Sequence, residues 1–317
     1  MRRRLVRHMT VPALALLLAL PLRAQPGTPA APTPVDQLAF QEDQTQRMTV
    51  PVSIGSHGPF RFLVDTGAER TLIAQELAGR LSLQAGAVAQ VHSMSEVSDV
   101  ATMVIPRLQV SARSLKNIHA PAFLRYNLGA DGVLGVDSLK SQRVLFDFAR
   151  RTMSISPSRD RDEVRDPNTV VVTARNRFGR LIVADARVEG QKLWVVIDTG
   201  SEVTVGNEAL RRKLASKGRL AATTPIGLIS VTGGKIVADY TQIRGASIGG
   251  LRLRNMPVAF SEVHPFQKLG LTDQPAILLG MDVLGQFDQV TIDFANRDVG
   301  FVLPGRSAAA RMGVVDR

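Results

Sequence analysis

The chain contains the same unit twice, and that repetition limits its fold more than any other feature. FLVDTGAE, Phe62 to Glu69, recurs as VVIDTGSE, Val195 to Glu202, at an offset of 133 residues. VSARSLKNI, Val110 to Ile118, recurs as IGGLRLRNM, Ile248 to Met256, offset by 138. VLGVD at Val133 to Asp137 recurs as LLGMD at Leu278 to Asp282, and VLFDF at Val144 to Phe148 as VTIDF at Val290 to Phe294, at offsets of 145 and 146. Four matches keep their order while the offset only grows, which small insertions in the second copy explain. The pattern is a tandem duplication, and it predicts two similar lobes.

The stretch between the copies sets the expected boundaries. A polar, charged segment at 157–167 reads as a linker, with a first lobe at 47–156 and a second at 168–305. Residues 306–317 are left as a tail, and 25–46, opening with PGTPAAPTP, read as a Pro/Ala-rich unstructured spacer. Residues 1–24 differ in kind. Arg2, Arg3, Arg4 and Arg7 precede an apolar run from Val11 to Leu22, and Leu22-Arg23-Ala24 offers a small-residue exit. That is the layout of a signal peptide, and the run is too short to span a bilayer comfortably. A periplasmic or secreted protein is expected, the alternative being an uncleaved membrane anchor. After signal cleavage no membrane span is predicted.

Composition narrows the class further. With no Cys, a lipid-modified bacterial lipoprotein, disulfides and thiolate metal sites are excluded. Aromatics are only 5 %, so Val, Leu and Ile must fill the core. Five arginines and no acids lie in residues 1–24, so the formal +11 falls to +6 without them. That excess is dispersed and lacks interleaved aromatics, which argues against a nucleic-acid partner.

Local patterns are mostly those of strands. Met48 to Ile54 and Leu181 to Val188 are rich in branched residues and lead through turn residues into the apolar strands that end at Asp65 and Asp198, as hairpins do. Short helices are predicted at 74–81, at 207–217 and after Asp137 and Asp282, the two Asp serving as N-caps.

An accidental Asp-Thr-Gly occurs in roughly one chain in fifteen of this length. Two copies, each ending an apolar strand at the same step of a repeat, are a different matter. Gly67 and Gly200 permit a tight turn, and the Thr66 and Thr199 hydroxyls can bond backbone across an interface. Meeting on a pseudo-twofold axis, Asp65 and Asp198 would share one proton, because like charges so close do not both ionise readily. The ionised carboxylate then takes a proton from water while the protonated one polarises a carbonyl. Neither metal nor covalent nucleophile is needed.

These motifs resemble the retropepsin-like and pepsin-like aspartic proteases, in a bacterial-style single-chain form with two retropepsin-type lobes, over about residues 47–303. Their shared-proton dyad is a standard example of coupled carboxylates. The resemblance implies a mainly all-β, bilobal acid-protease fold with a few short helices. Asp65 and Asp198 become the catalytic pair, Thr66 and Thr199 the inter-lobe grip, and Gly67 and Gly200 the turn. Val133-Leu134-Gly135 and Leu278-Leu279-Gly280 would pack beneath the turns. It further implies an aspartic endopeptidase acting on peptide or protein substrate without cofactor or metal, as a monomer. Hairpin flaps should cover the cleft. Ile229 to Val237 carries a suitable tip at Thr232-Gly233-Gly234. Val91 to Met103, its counterpart, has neither Gly nor Tyr, which keeps a second reading open: a peptide-binding or assembly module of the same fold with weak or no catalysis.

Other signals are weaker. Gly245-Ala-Ser247-Ile-Gly249 matches a nucleophile elbow, but alternating strand-like residues follow where a helix is required. His8, His57, His92, His119 and His264 show no metal-ligand spacing. Glu69 and Glu202 are expected at the surface edge of the site.

Overall fold

The computed structural model describes residues 36–39, 41–42, 48–110, 113–140, 142–158, 169–177, 180–183, 185–304 and 314–315. The expected signal peptide at 1–24 lies outside these, as does most of the linker at 157–167.

Strand Met48–Ile54 forms as its alternation predicts, with Met48, Val50, Val52 and Ile54 buried. It pairs antiparallel with His57–Val64. Its last two residues also pair with Gln109 and Leu108, while an irregularity after Val52 keeps Ile54 opposite His57. The second copy reaches its equivalent second partner by breaking the strand. The run expected at Leu181 to Val188 divides into Arg180–Val183, paired with Trp194–Ile197, and Ala186–Val188, paired with Lys235–Ile248. Both solutions let one apolar run close two parts of a strongly curved sheet.

In each lobe the strand leading to the Asp-Thr-Gly turn runs parallel to the apolar segment expected beneath it. Phe62, Leu63 and Val64 pair with Gly132, Val133 and Leu134, while Val195, Val196 and Ile197 pair with Ile277, Leu278 and Leu279. These strands are buried almost without exception, as central parallel strands are. Gly135 and Gly280 end the supporting strands where a Cβ would run into the backbone of Arg70 and Val203 respectively. Glycine is needed there because two chain segments touch.

A third, six-stranded sheet joins the lobes. Gln142–Asp147 and Gln289–Asp293 pair antiparallel at its centre, with Leu145 opposite Thr291. Those two residues are equivalent in the duplication, so the pseudo-twofold axis passes between them. Thr152–Pro157 and Asp298–Val302 flank the central pair. The outer edges are Asp36–Ala39 and Thr169–Thr173. The spacer expected at 25–46 is therefore not unstructured throughout. Asp36–Ala39 repeats the edge-strand role of Thr169–Thr173 at the same offset of 133, and Gln41–Glu42 pairs with the start of the first lobe. Val314–Val315, within the expected tail, pairs with Arg252 and Leu253.

Among the described residues there are six short helices. Gln75–Arg80 and Glu208–Ala215 fall where predicted, and Asn207 caps the latter by accepting from Leu210 N–H at 3.0 Å. Asp137 and Asp282 do not cap their helices. Gly135 and Gly280 hold the N-cap positions, and the two carboxylates point away to the loop after each Asp-Thr-Gly turn. Asp137 accepts from Thr71 N–H at 2.9 Å and Thr71 Oγ1 at 2.8 Å. Asp282 accepts from Thr204 N–H at 2.9 Å and Thr204 Oγ1 at 2.6 Å. Two buried threonines needed acceptors, and that demand outweighed local capping. The duplicated Asp thus brace the duplicated turns from behind.

Candidate active site

The two Asp-Thr-Gly turns meet on the axis, locked by four hydrogen bonds. Thr66 Oγ1 donates to the Ile197 carbonyl at 3.0 Å and accepts from Thr199 N–H at 3.1 Å. Thr199 Oγ1 donates to the Val64 carbonyl at 2.8 Å and accepts from Thr66 N–H at 3.0 Å. Both threonines are buried, so each bond forms where water does not compete. Gly67 and Gly200 are required by contact across the axis. A Cβ on Gly67 would overlap the Asp198 carboxylate, and one on Gly200 the Asp65 carboxylate.

That contact places the carboxyls side by side. Asp65 Oδ1 accepts from Gly67 N–H at 2.7 Å and Ala68 N–H at 2.9 Å, while Asp198 Oδ1 accepts from Gly200 N–H at 3.1 Å. Burial, and then the neighbouring Asp198 charge, push Asp65 from 3.8 up to about 7. The Gly67 and Ala68 N–H groups and the Arg180 charge oppose the rise. Burial raises Asp198 too, against the pull of Arg180, Gly200 N–H and a hydrogen bond with Asp65. Both carboxyls are therefore held protonated above the ordinary carboxylate range, and they titrate as a pair rather than as separate residues.

Above the pair lies a cavity of about 440 Å³, within the range of ligand-binding clefts. Hairpins from both lobes roof it. The second, Thr224–Ile229 with Lys235–Ile248, turns at Ser230–Gly234, where Gly233 has φ 86°. Thr232, Gly233 and Gly234 sit at this tip. The first, Gln84–His92 with Val97–Val110, turns without glycine. Ser93 Oγ supplies the closure, donating to the Glu96 carbonyl at 3.0 Å and accepting from Glu96 N–H at 3.1 Å. The tips touch, with Ser95 Oγ 3.2 Å and Ser93 Oγ 3.4 Å from Thr232 Oγ1. The first tip also crosses to the second lobe: His264 N–H donates to the Met94 carbonyl at 3.0 Å, and His92 Nδ1 lies 2.7 Å from His264 Nε2.

Several residues escape sequence reasoning. His92 and His264 pair only because the first flap reaches over the second lobe. Glu69 and Glu202 both line the cleft at its partly exposed edge, and Glu69 forms an inter-lobe ion pair with Lys268 at 2.6 Å that the sequence did not foretell. Arg180 is buried in the cleft wall. A signal for it exists: Arg47 and Arg180 precede Asp65 and Asp198 by the same spacing. Ser247 lies within strand Lys235–Ile248, opposite Arg187, and the chain turns from there into another strand. Among the described residues no group of three or more His, Cys, Asp or Glu is placed to hold a metal ion.

The site and fold define a class: a bilobal acid-protease architecture with one aspartate from each lobe. Residues 50–141 match the family described as "gag-polyprotein putative aspartyl protease", and residues 184–283 the family described as "Aspartyl protease". Both are retropepsin-like aspartyl protease families, and the chain carries one such domain in each lobe. No curated protein matches it. The two matches support an aspartic-protease-like function and imply peptide substrates. Among the described residues no helix is long and apolar enough to cross a membrane.

Proposed function

We propose that the chain is an aspartic endopeptidase in which Asp65 and Asp198 activate water for attack on a peptide bond. The observation that carries this reading is the contact of the two carboxyls across the Thr66–Thr199 grip, beneath a roofed cleft. With one proton on the pair, the ionised carboxylate takes a proton from water as the other donates a hydrogen bond to the scissile carbonyl. An extended peptide would lie in the cleft beneath both hairpins. One chain supplies both aspartates, so a monomer suffices. The basic and apolar start of the sequence supports export to the periplasm or beyond.

A peptide library incubated with the purified chain between pH 3 and 8 tests the proposal. Cleavage is expected from the wild type, with a loss of about a thousandfold or more in Asp65→Asn and Asp198→Asn. Cleavage undiminished in both variants, or tight peptide binding by the wild type without turnover at any pH, would contradict it.

A further inference from the structure

Arg180 is the first residue of strand Arg180–Val183 and is only 6 % exposed. Its strand lies antiparallel to Trp194–Ile197, with Ile182 opposite Val196, and extending that register by two residues sets Arg180 beside Asp198. The side chain lines the cleft together with both aspartates. Its Nε and Nη1 are buried and have no hydrogen-bond partner among the described residues. A guanidinium offers five N–H donors in a fixed planar fork, and buried donors are almost always satisfied. The two aspartates feel its charge, yet their oxygens are bonded to the turns rather than to the fork. Other cations of the cleft are differently placed: Lys268 is paired with Glu69, and Arg70 is exposed.

We infer that Arg180 is a specificity-determining residue that binds a carboxylate of the substrate close to the scissile bond. This rests on the endopeptidase reading and names the substrate class for that same site. A carboxylate is the ligand that satisfies one edge of the fork best, because two parallel N–H···O bonds, from Nη2 together with either Nη1 or Nε, match its planar geometry. A substrate amide carbonyl could accept one such bond, without the charge and without the second oxygen. The anion meets little opposition from the dyad while the pair keeps its shared proton, since the cleft floor then carries one negative charge rather than two. The carboxylate can come from an Asp or Glu side chain or from the C-terminus of a short substrate.

The test is a set of peptides with Glu or Gln at each of the three positions on either side of a cleaved bond, each with a free or amidated C-terminus. At one position the wild type is expected to prefer Glu over Gln by at least about tenfold in kcat/KM, as for a paired buried charge. Arg180→Met should cleave both peptides with that preference lost, and Arg180→Lys should restore part of it. Comparing the two peptides within each variant cancels any effect of the substitution on the dyad itself. A preference for free over amidated C-termini instead of for Glu would assign the fork to the terminal carboxylate. Equal rates for Glu and Gln peptides and for both C-termini, or a preference that survives in Arg180→Met, would overturn the inference. If the wild type cleaves nothing, the endopeptidase reading fails, and calorimetric binding of the Glu and Gln peptides then decides the role of Arg180 alone, equal affinities overturning it.

Discussion

Replacing Asp65 by Asn should make the protein more stable at neutral and alkaline pH, and the gain should have a defined pH course. A carboxyl whose folded-state pKa is raised favours folding below its unfolded pKa, and that advantage is lost as pH rises toward the folded value. For Asp65 the window runs from 3.8 to about 7. A tenfold change in proton affinity corresponds to about 1.4 kcal/mol, so the wild type should lose up to about 4 kcal/mol relative to Asp65→Asn between pH 4 and 8. Asn retains an oxygen for the Gly67 and Ala68 N–H groups, so the turn keeps its hydrogen bonds. Asp198 keeps the Arg180 charge and the Gly200 N–H that favour its ionised form. Urea unfolding of both proteins at several pH values gives the difference directly. A gap that is flat with pH, or a variant that grows relatively less stable as pH rises, would refute the reasoning that burial and mutual repulsion raise this carboxyl.

Three further outcomes follow from the same geometry. Thr66→Val removes a buried hydroxyl that bonds Ile197 and Thr199, stranding their carbonyl and N–H; a loss of roughly 2–4 kcal/mol in urea unfolding is expected, and Thr199→Val should behave alike. Gly135→Ala pushes a methyl group into the Arg70 backbone, which should cost about 1–3 kcal/mol and lower kcat, whereas Ala at the open helical position Gly79, away from the cleft, should leave kcat unchanged. Ser93→Ala removes the hydroxyl that closes the first flap tip; KM for peptides should rise several-fold, with unfolding free energy changed by no more than about 1 kcal/mol.

What can be read in the sequence is what duplication writes twice. Asp65 and Asp198, their strands and the supporting Val133-Leu134-Gly135 and Leu278-Leu279-Gly280 segments are legible because each feature is local and its copy confirms it. The Thr66–Thr199 grip follows once the turns are taken to meet. Asp137 and Asp282 mislead for the opposite reason. Local pattern favours a cap, but the buried threonines they serve lie 66 and 78 residues away. The first flap is obscured because a serine hydroxyl takes the place of glycine at its tip. His92 with His264 and Glu69 with Lys268 join the lobes through three-dimensional proximity alone. Those pairs have no counterpart elsewhere in the repeat to reveal them.

The central claim is that Asp65 and Asp198 act as one acid–base unit, and a double-variant comparison of kcat/KM on a single cleaved peptide tests it most directly. If the two share one proton and one reaction step, removing either disables the unit and removing the second costs nothing more. Asp65→Asn, Asp198→Asn and the double variant should all fall to the same residual rate, about a thousandfold or more below the wild type. Losses that multiply in the double variant, or a single variant that keeps most of its activity, would show that the two aspartates act separately.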